Sequence, residues 1–68
     1  MSGQDAMAQE LALLTTSELA SRWRMSERTL ERWRSERYGP AWLILGGQVR
    51  YRMTDVEAFE ARHRRPGS

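Results

Sequence analysis

From Thr15 to Arg37 the apolar positions recur at helical spacing. Leu19, Ala20 and Trp23 form one stripe at i, i+1 and i+4, and Leu30 with Trp33 forms a second at i, i+3. Two short amphipathic helices facing each other follow, with Met25 in the connector and small Ala20 where crossing helices approach most closely. Each helix has a hydroxyl residue at its start. Thr15 with Glu18 three positions on makes a reciprocal capping box, whereas Ser26 has Thr29 at that position and supplies only the hydroxyl half. Upstream, Leu11, Leu13 and Leu14 lead into Thr15, and Leu14 is placed to staple onto Leu19 or to dock on a later element. Downstream, Tyr38-Gly39-Pro40 ends the helical pattern. Trp42 to Leu45, a Gly46-Gly47 turn and the alternating Gln48-Val49-Arg50-Tyr51-Arg52 then predict a β-hairpin. Alternation puts Gln48, Arg50 and Arg52 on one face and Val49 and Tyr51 on the other, with Trp42, Ile44 and Tyr51 expected to glue the hairpin to the helices. Thr54 to Glu57 reads as a second complete capping box, opening a last helix that carries Val56 and Phe59 and ends around Arg62.

This spacing is that of a helix-turn-helix followed by a wing, an α+β and mostly α architecture: two-helix HTH, β-hairpin wing, C-terminal helix. A plain helical hairpin packing hydrophobics is the bland alternative. Residues 1–12 are expected to form a flexible N-terminal arm, 13–64 the folded domain and 65–68 a disordered tail. At 68 residues there is room for one domain with a modest core, so the three Trp, two Tyr and one Phe matter greatly. There is no cysteine for a disulfide or a thiolate zinc site, and no apolar run of membrane length or secretory signal pattern. A cytoplasmic protein is expected, associated with the nucleoid when bound to DNA, with no cofactor and no membrane contact.

Charge changes the picture through its placement. Met1 to Thr15 carries Asp5 and Glu10 and no base, which leaves a surplus of +4 on the rest of the chain. All 11 basic residues are arginine, whose planar fork suits phosphate and guanine edges, although codon bias explains the absence of lysine equally well. With Leu30 at zero on a wheel of about 100° per residue, Trp33 and Ser26 fall near it and Arg28, Arg32 and Ser35 fall opposite. Arg28 and Arg32 sit one turn apart and repel mildly, a strain that an anion such as phosphate relieves. The competing reading is a solvated face, because Glu27, Glu31 and Glu36 lie there as well. No nucleophile with a base, carboxylate pair or phosphate-cradling glycine loop with lysine is present, so catalysis is not expected, and His63 alone reads as solvated.

An arginine-bearing second helix beside an arginine-bearing hairpin fits duplex DNA. Arg28 and Arg32 would reach base edges or flanking phosphates, Thr29 a phosphate at the groove's lip, and Arg50 the neighbouring backbone or minor groove. Arg22 and Arg24 would make positioning contacts to the backbone, and Ser26, Glu27, Gln48 and Arg52 complete the candidate set.

Across Leu14 to about Arg62, some seven-tenths of the chain, LLTTSELA, MSERTLERW, YGPAW, LGGQVRY and TDVEAF occur in order and at tight spacing. In these the chain resembles the small excisionase-type, MerR-like winged helix-turn-helix proteins. The resemblance implies a DNA-binding accessory protein of a phage, plasmid or integrative element. Such a protein acts as a recombination directionality factor that organises or bends an attachment site, with several copies side by side and an integrase or other recombinase as partner. A small transcriptional regulator is the alternative within DNA binding, and a protein-interaction adaptor that does not bind DNA is the alternative of another class. One departure from the pattern is Arg24, where such turns usually carry glycine; it would have to take a left-handed backbone at a cost of ~1 kcal/mol.

Overall fold

Leu19, Ala20 and Leu30, the centres of the two helical stripes, are 0%, 5% and 1% exposed. A computed structural model describes residues 12–67 and gives the order β1 (Leu13–Leu14), α1 (Thr16–Trp23), α2 (Glu27–Ser35), β2 (Leu43–Leu45), β3 (Gln48–Arg52) and α3 (Met53–Arg62). The expected arm lies outside the described residues except for Ala12, as does Ser68 of the tail. Thr15 caps α1 through the full box: its Oγ1 accepts from the Glu18 amide at 3.0 Å, and Glu18 Oε1 accepts from the Thr15 amide at 2.9 Å. Ser26 caps α2 by accepting from the Thr29 amide at 3.1 Å.

Both helices end in the same way, and in both cases an arginine does what glycine usually does. Arg24 stands at φ 56, ψ 48, with its amide donating to Ser21 O and the Met25 amide to Ala20 O. Arg37 stands at φ 57, with its amide donating to Arg34 O and the Tyr38 amide to Trp33 O at 2.8 Å. These paired bonds are the Schellman closure, which turns the chain sharply at a left-handed residue. The strained backbone expected at Arg24 is present, and Arg37 repeats it. The second helix stops through this closure, before Gly39-Pro40 is reached.

The sheet has three antiparallel strands in the order β1-β3-β2. Gly46 and Gly47, at φ 58 and 80, make the two-residue turn that pairs Leu45 with Gln48, Ile44 with Val49 and Leu43 with Arg50. The third strand, β1, was not among the expected elements: two residues are too few to show a period. It sets Leu14 opposite Tyr51 and Leu13 opposite Arg52. Leu14, 8% exposed, thus joins Leu19 in the core and a later strand at once.

Two expectations need correction. The last helix does not open on a Thr54 capping box: it begins at Met53, with Arg52 as N-cap and no side-chain cap bond. β3 runs into it without a loop, and the Met53 amide donates to Ala12 O at 3.0 Å, so a continuation of the β1 pairing supplies the partner that a cap would have supplied. The hairpin is also less adhesive than expected. Tyr51 is 1% exposed and Val49 packs against the core, but Ile44 is 58% and Trp42 39% exposed, because β3 rather than β2 carries most of the contact with the helices. Trp23, Trp33, Tyr38 and Phe59 pack edge-to-face and tilted at centroid distances of 4.9 to 6.3 Å, tying α1, α2 and α3 together.

Candidate nucleic-acid interface

The geometry of α2 follows from its buried side. With Leu30 sealed in the core and Trp33 half-buried against Trp23 and Phe59, Arg28 and Arg32 emerge on the exposed side. Arg32 Nε lies 3.8 Å from Glu36 Oε2, with both side chains more than half exposed, a loose i,i+4 pair of a few tenths of a kcal/mol at most. Arg28 has no carboxylate within ion-pair distance among the described residues, and neither Glu27 nor Glu31 finds a cationic partner. The solvated-face reading needed those acids to neutralise the arginines, and only Glu36 approaches one. Ser26 and Thr29 are engaged with each other, their hydroxyls 2.9 Å apart at the start of the helix. Arg24 is exposed on the connector.

On the hairpin, Tyr51 points into the core, so Arg50 and Arg52, with Gln48, leave by the other face of the sheet. Arg50 does not extend freely. Its Nη1 donates to Val49 O at 2.7 Å and its Nη2 lies 3.4 Å from Gln48 Oε1, which lays the guanidinium along the strand towards the glycine turn. Leu13, Leu43 and Leu45 share that outer face, being paired opposite Arg52, Arg50 and Gln48.

Arg22, expected to make a positioning contact to the DNA backbone, is engaged within the fold instead. Its Nε and Nη2 donate to both oxygens of Glu60 on α3 at 2.7 and 2.9 Å, and Trp23 Nε1 donates to the same carboxylate. The Arg22 hydrogen bonds, joined by that from Trp23 and opposed by partial burial, hold the Glu60 carboxyl below the usual glutamate range; donating to Glu60 raises the Arg22 guanidinium in turn. His63, expected to be solvated, is exposed but not idle: its ring lies 4.1 Å from that of Phe59, and Nδ1 is 2.9 Å from Phe59 O.

Sequence reasoning missed Arg34. Its Nη1 donates to the buried Tyr51 hydroxyl at 2.7 Å and to Thr16 Oγ1 at 3.3 Å, and its guanidinium sits 5.8 and 5.9 Å from the Trp42 and Tyr51 ring centres. This one side chain joins α1, α2 and the hairpin. The signal was on the wheel: Arg34 falls about 40° from Leu30, on the inward side where an arginine needs partners.

Among the described residues, three helices, a three-residue turn (Arg24 to Ser26) between the first pair and a three-stranded sheet that includes a hairpin define a winged helix-turn-helix protein. The family model for a helix-turn-helix domain matches residues 13–64, and the chain belongs to that DNA-binding family. Searches of curated proteins and of solved structures returned no match. Among the described residues no helix is long and apolar enough to cross a membrane, and no group of three His, Cys, Asp or Glu side chains gathers as a metal site.

Proposed function

We propose that the chain binds duplex DNA sequence-specifically, with α2 in the major groove and the hairpin beside it on the backbone or minor groove. The observation that carries this is Arg28: an exposed guanidinium without a carboxylate partner among the described residues, one turn from the loosely held Arg32, on the second helix, which helix-turn-helix motifs place in the major groove. Arg24, Arg50 and Arg52 serve as backbone contacts in this reading, with Gln48, Glu27 and Thr29 at its edge. Arg22 and Ser26 support the frame instead, the first through Glu60 and the second as a helix cap.

The biological role we favour is that of an excisionase-like factor that organises an attachment site for an integrase, with copies side by side on the DNA. The outer face of the sheet supports contact between neighbours, since Leu13 and Leu45 stand there 40% and 49% exposed. A small transcriptional regulator would use the same DNA-binding surface. A footprint on the chain's own upstream DNA and on nearby attachment sites separates the two: protection in repeated, phased blocks goes with recombination, and a single operator over a promoter with regulation. Arg28→Ala is the control. If no duplex is retained at low salt, the DNA-binding reading is lost.

A further inference from the structure

Where the chain leaves α2 for the hairpin, an open cavity of about 370 Å³ is lined by Arg34, Arg37, Tyr38 and Trp42 around the Gly39-Pro40 bend. Its chemistry is unbalanced. Neither guanidinium has a carboxylate within ion-pair distance among the described residues. Arg34 spends Nη1 on the Tyr51 and Thr16 hydroxyls, which leaves Nε and Nη2 without a hydrogen-bond partner among those residues, while Arg37 makes no side-chain hydrogen bond there at all. Arg34 is half-buried, where an arginine ordinarily finds an anion or a full set of acceptors, and Arg37 stands exposed at the rim of the same cavity. Arg37 also occupies a left-handed position that glycine would fill without strain, so the chain tolerates a backbone cost to keep a side chain there. The aromatic walls are open too, Tyr38 being 48% and Trp42 39% exposed.

Two planar cations without a carboxylate partner among the described residues, one of them with two guanidinium nitrogens unused, suit an oxyanion, and exposed aromatic rings beside them suit a flat group attached to it. We propose that this cavity is a phosphate site, in which Arg34 Nε and Nη2 and the Arg37 guanidinium hold the phosphate of a nucleotide whose ring lies against Trp42. The carbonyl end of α2 works against an anion here, and the paired guanidiniums offset it. The source of the phosphate is either the DNA backbone or a free nucleotide. The backbone case extends the proposed DNA contact beyond Arg28 and Arg32, whereas the free nucleotide case is independent of it.

The test follows the Arg Nε–H and Trp indole N–H signals of the full chain by two-dimensional ¹H–¹⁵N NMR while inorganic phosphate, deoxyadenosine monophosphate or a short duplex is added. Saturable shifts at Arg34 and Trp42 with the two small probes are expected, with the nucleotide binding at least about fivefold more tightly than phosphate because the base can stack. Arg37→Gln removes a side chain that the fold does not use and should weaken the small-probe response about tenfold or more. An R28A/R32A variant, impaired for duplex, should keep that response, which separates this site from the major-groove reading. Saturation by duplex and not by the small probes assigns the site to a backbone phosphate, provided Arg37→Gln abolishes the shifts. Shifts that never saturate, that are unchanged in Arg37→Gln, or that are absent with all three probes overturn the proposal.

Discussion

Two single residues carry strain that the fold itself does not need. Arg24 and Arg37 hold positive φ at the ends of α1 and α2, where a Cβ costs of order 1 kcal/mol relative to glycine. Arg24→Gly and Arg37→Gly are each expected to raise the free energy of unfolding by about 0.5–1 kcal/mol, the gain being limited by the extra freedom of glycine in the unfolded chain. Urea denaturation measures this, and a loss of stability in either variant would mean that the side chain contributes to the fold. Glu60 sets a different dependence. Its carboxyl is held below the ordinary range by Arg22, so in the acid range the unfolded chain binds a proton that the folded chain refuses. The contribution is complete above the ordinary glutamate pKa of about 4.3 and disappears as pH falls through the lower folded value. Thermal melts of Glu60→Gln should therefore be less sensitive to pH below about 4.3 than those of the parent, and equal sensitivity would remove Glu60 from the account.

At the scale of elements, what the sequence made legible is what repeats. Leu19, Ala20, Leu30 and Trp33 announce α1 and α2 because helical spacing is repeated over two turns, and Gly46-Gly47 announces the hairpin because two adjacent positive-φ residues have few other uses. β1 was hidden, since Leu13 and Leu14 alone have no period, and the N-terminus of α3 was misplaced, because the local Thr54–Glu57 motif lost to a tertiary hydrogen bond from Met53 to Ala12. Of the candidate site, the outward arginines of α2 were legible from the wheel, whereas the Arg22–Glu60 pair and the reach of Arg34 to Tyr51 span 38 and 17 residues and leave no local mark. The two strands flanking β3 should accordingly differ in what they contribute. Leu14→Ala empties a buried site on β1 and is expected to cost about 2–5 kcal/mol, enough to threaten so small a domain. Ile44→Thr on β2, at a position 58% exposed, should stay within about 0.5 kcal/mol of the parent. Equal destabilisation by both would mean that β2 is packed into the core as tightly as β1.

For the whole molecule, helix and wing are held by one frame, and the question is how their arginines divide the labour on DNA. A contact to phosphate releases counterions, so its loss weakens every sequence alike and reduces the slope of log affinity against log salt by about 0.9. A contact to a base edge leaves that slope nearly unchanged and costs about 1–3 kcal/mol on the cognate site alone. In the proposed reading Arg50, laid along the strand by its bonds to Val49 and Gln48, serves as a backbone contact, whereas Arg28, without an ion pair among the described residues, reaches a base. Arg22, occupied on both edges by Glu60, should do neither: Arg22→Ala is expected to lower stability and leave the salt slope intact. Titrating cognate and scrambled duplexes with the three variants across a series of salt concentrations gives three distinct signatures. A common fall in slope for all three would mean that Arg22 leaves Glu60 on binding and that the molecule meets DNA with a general basic surface rather than with a reading helix and a supporting wing.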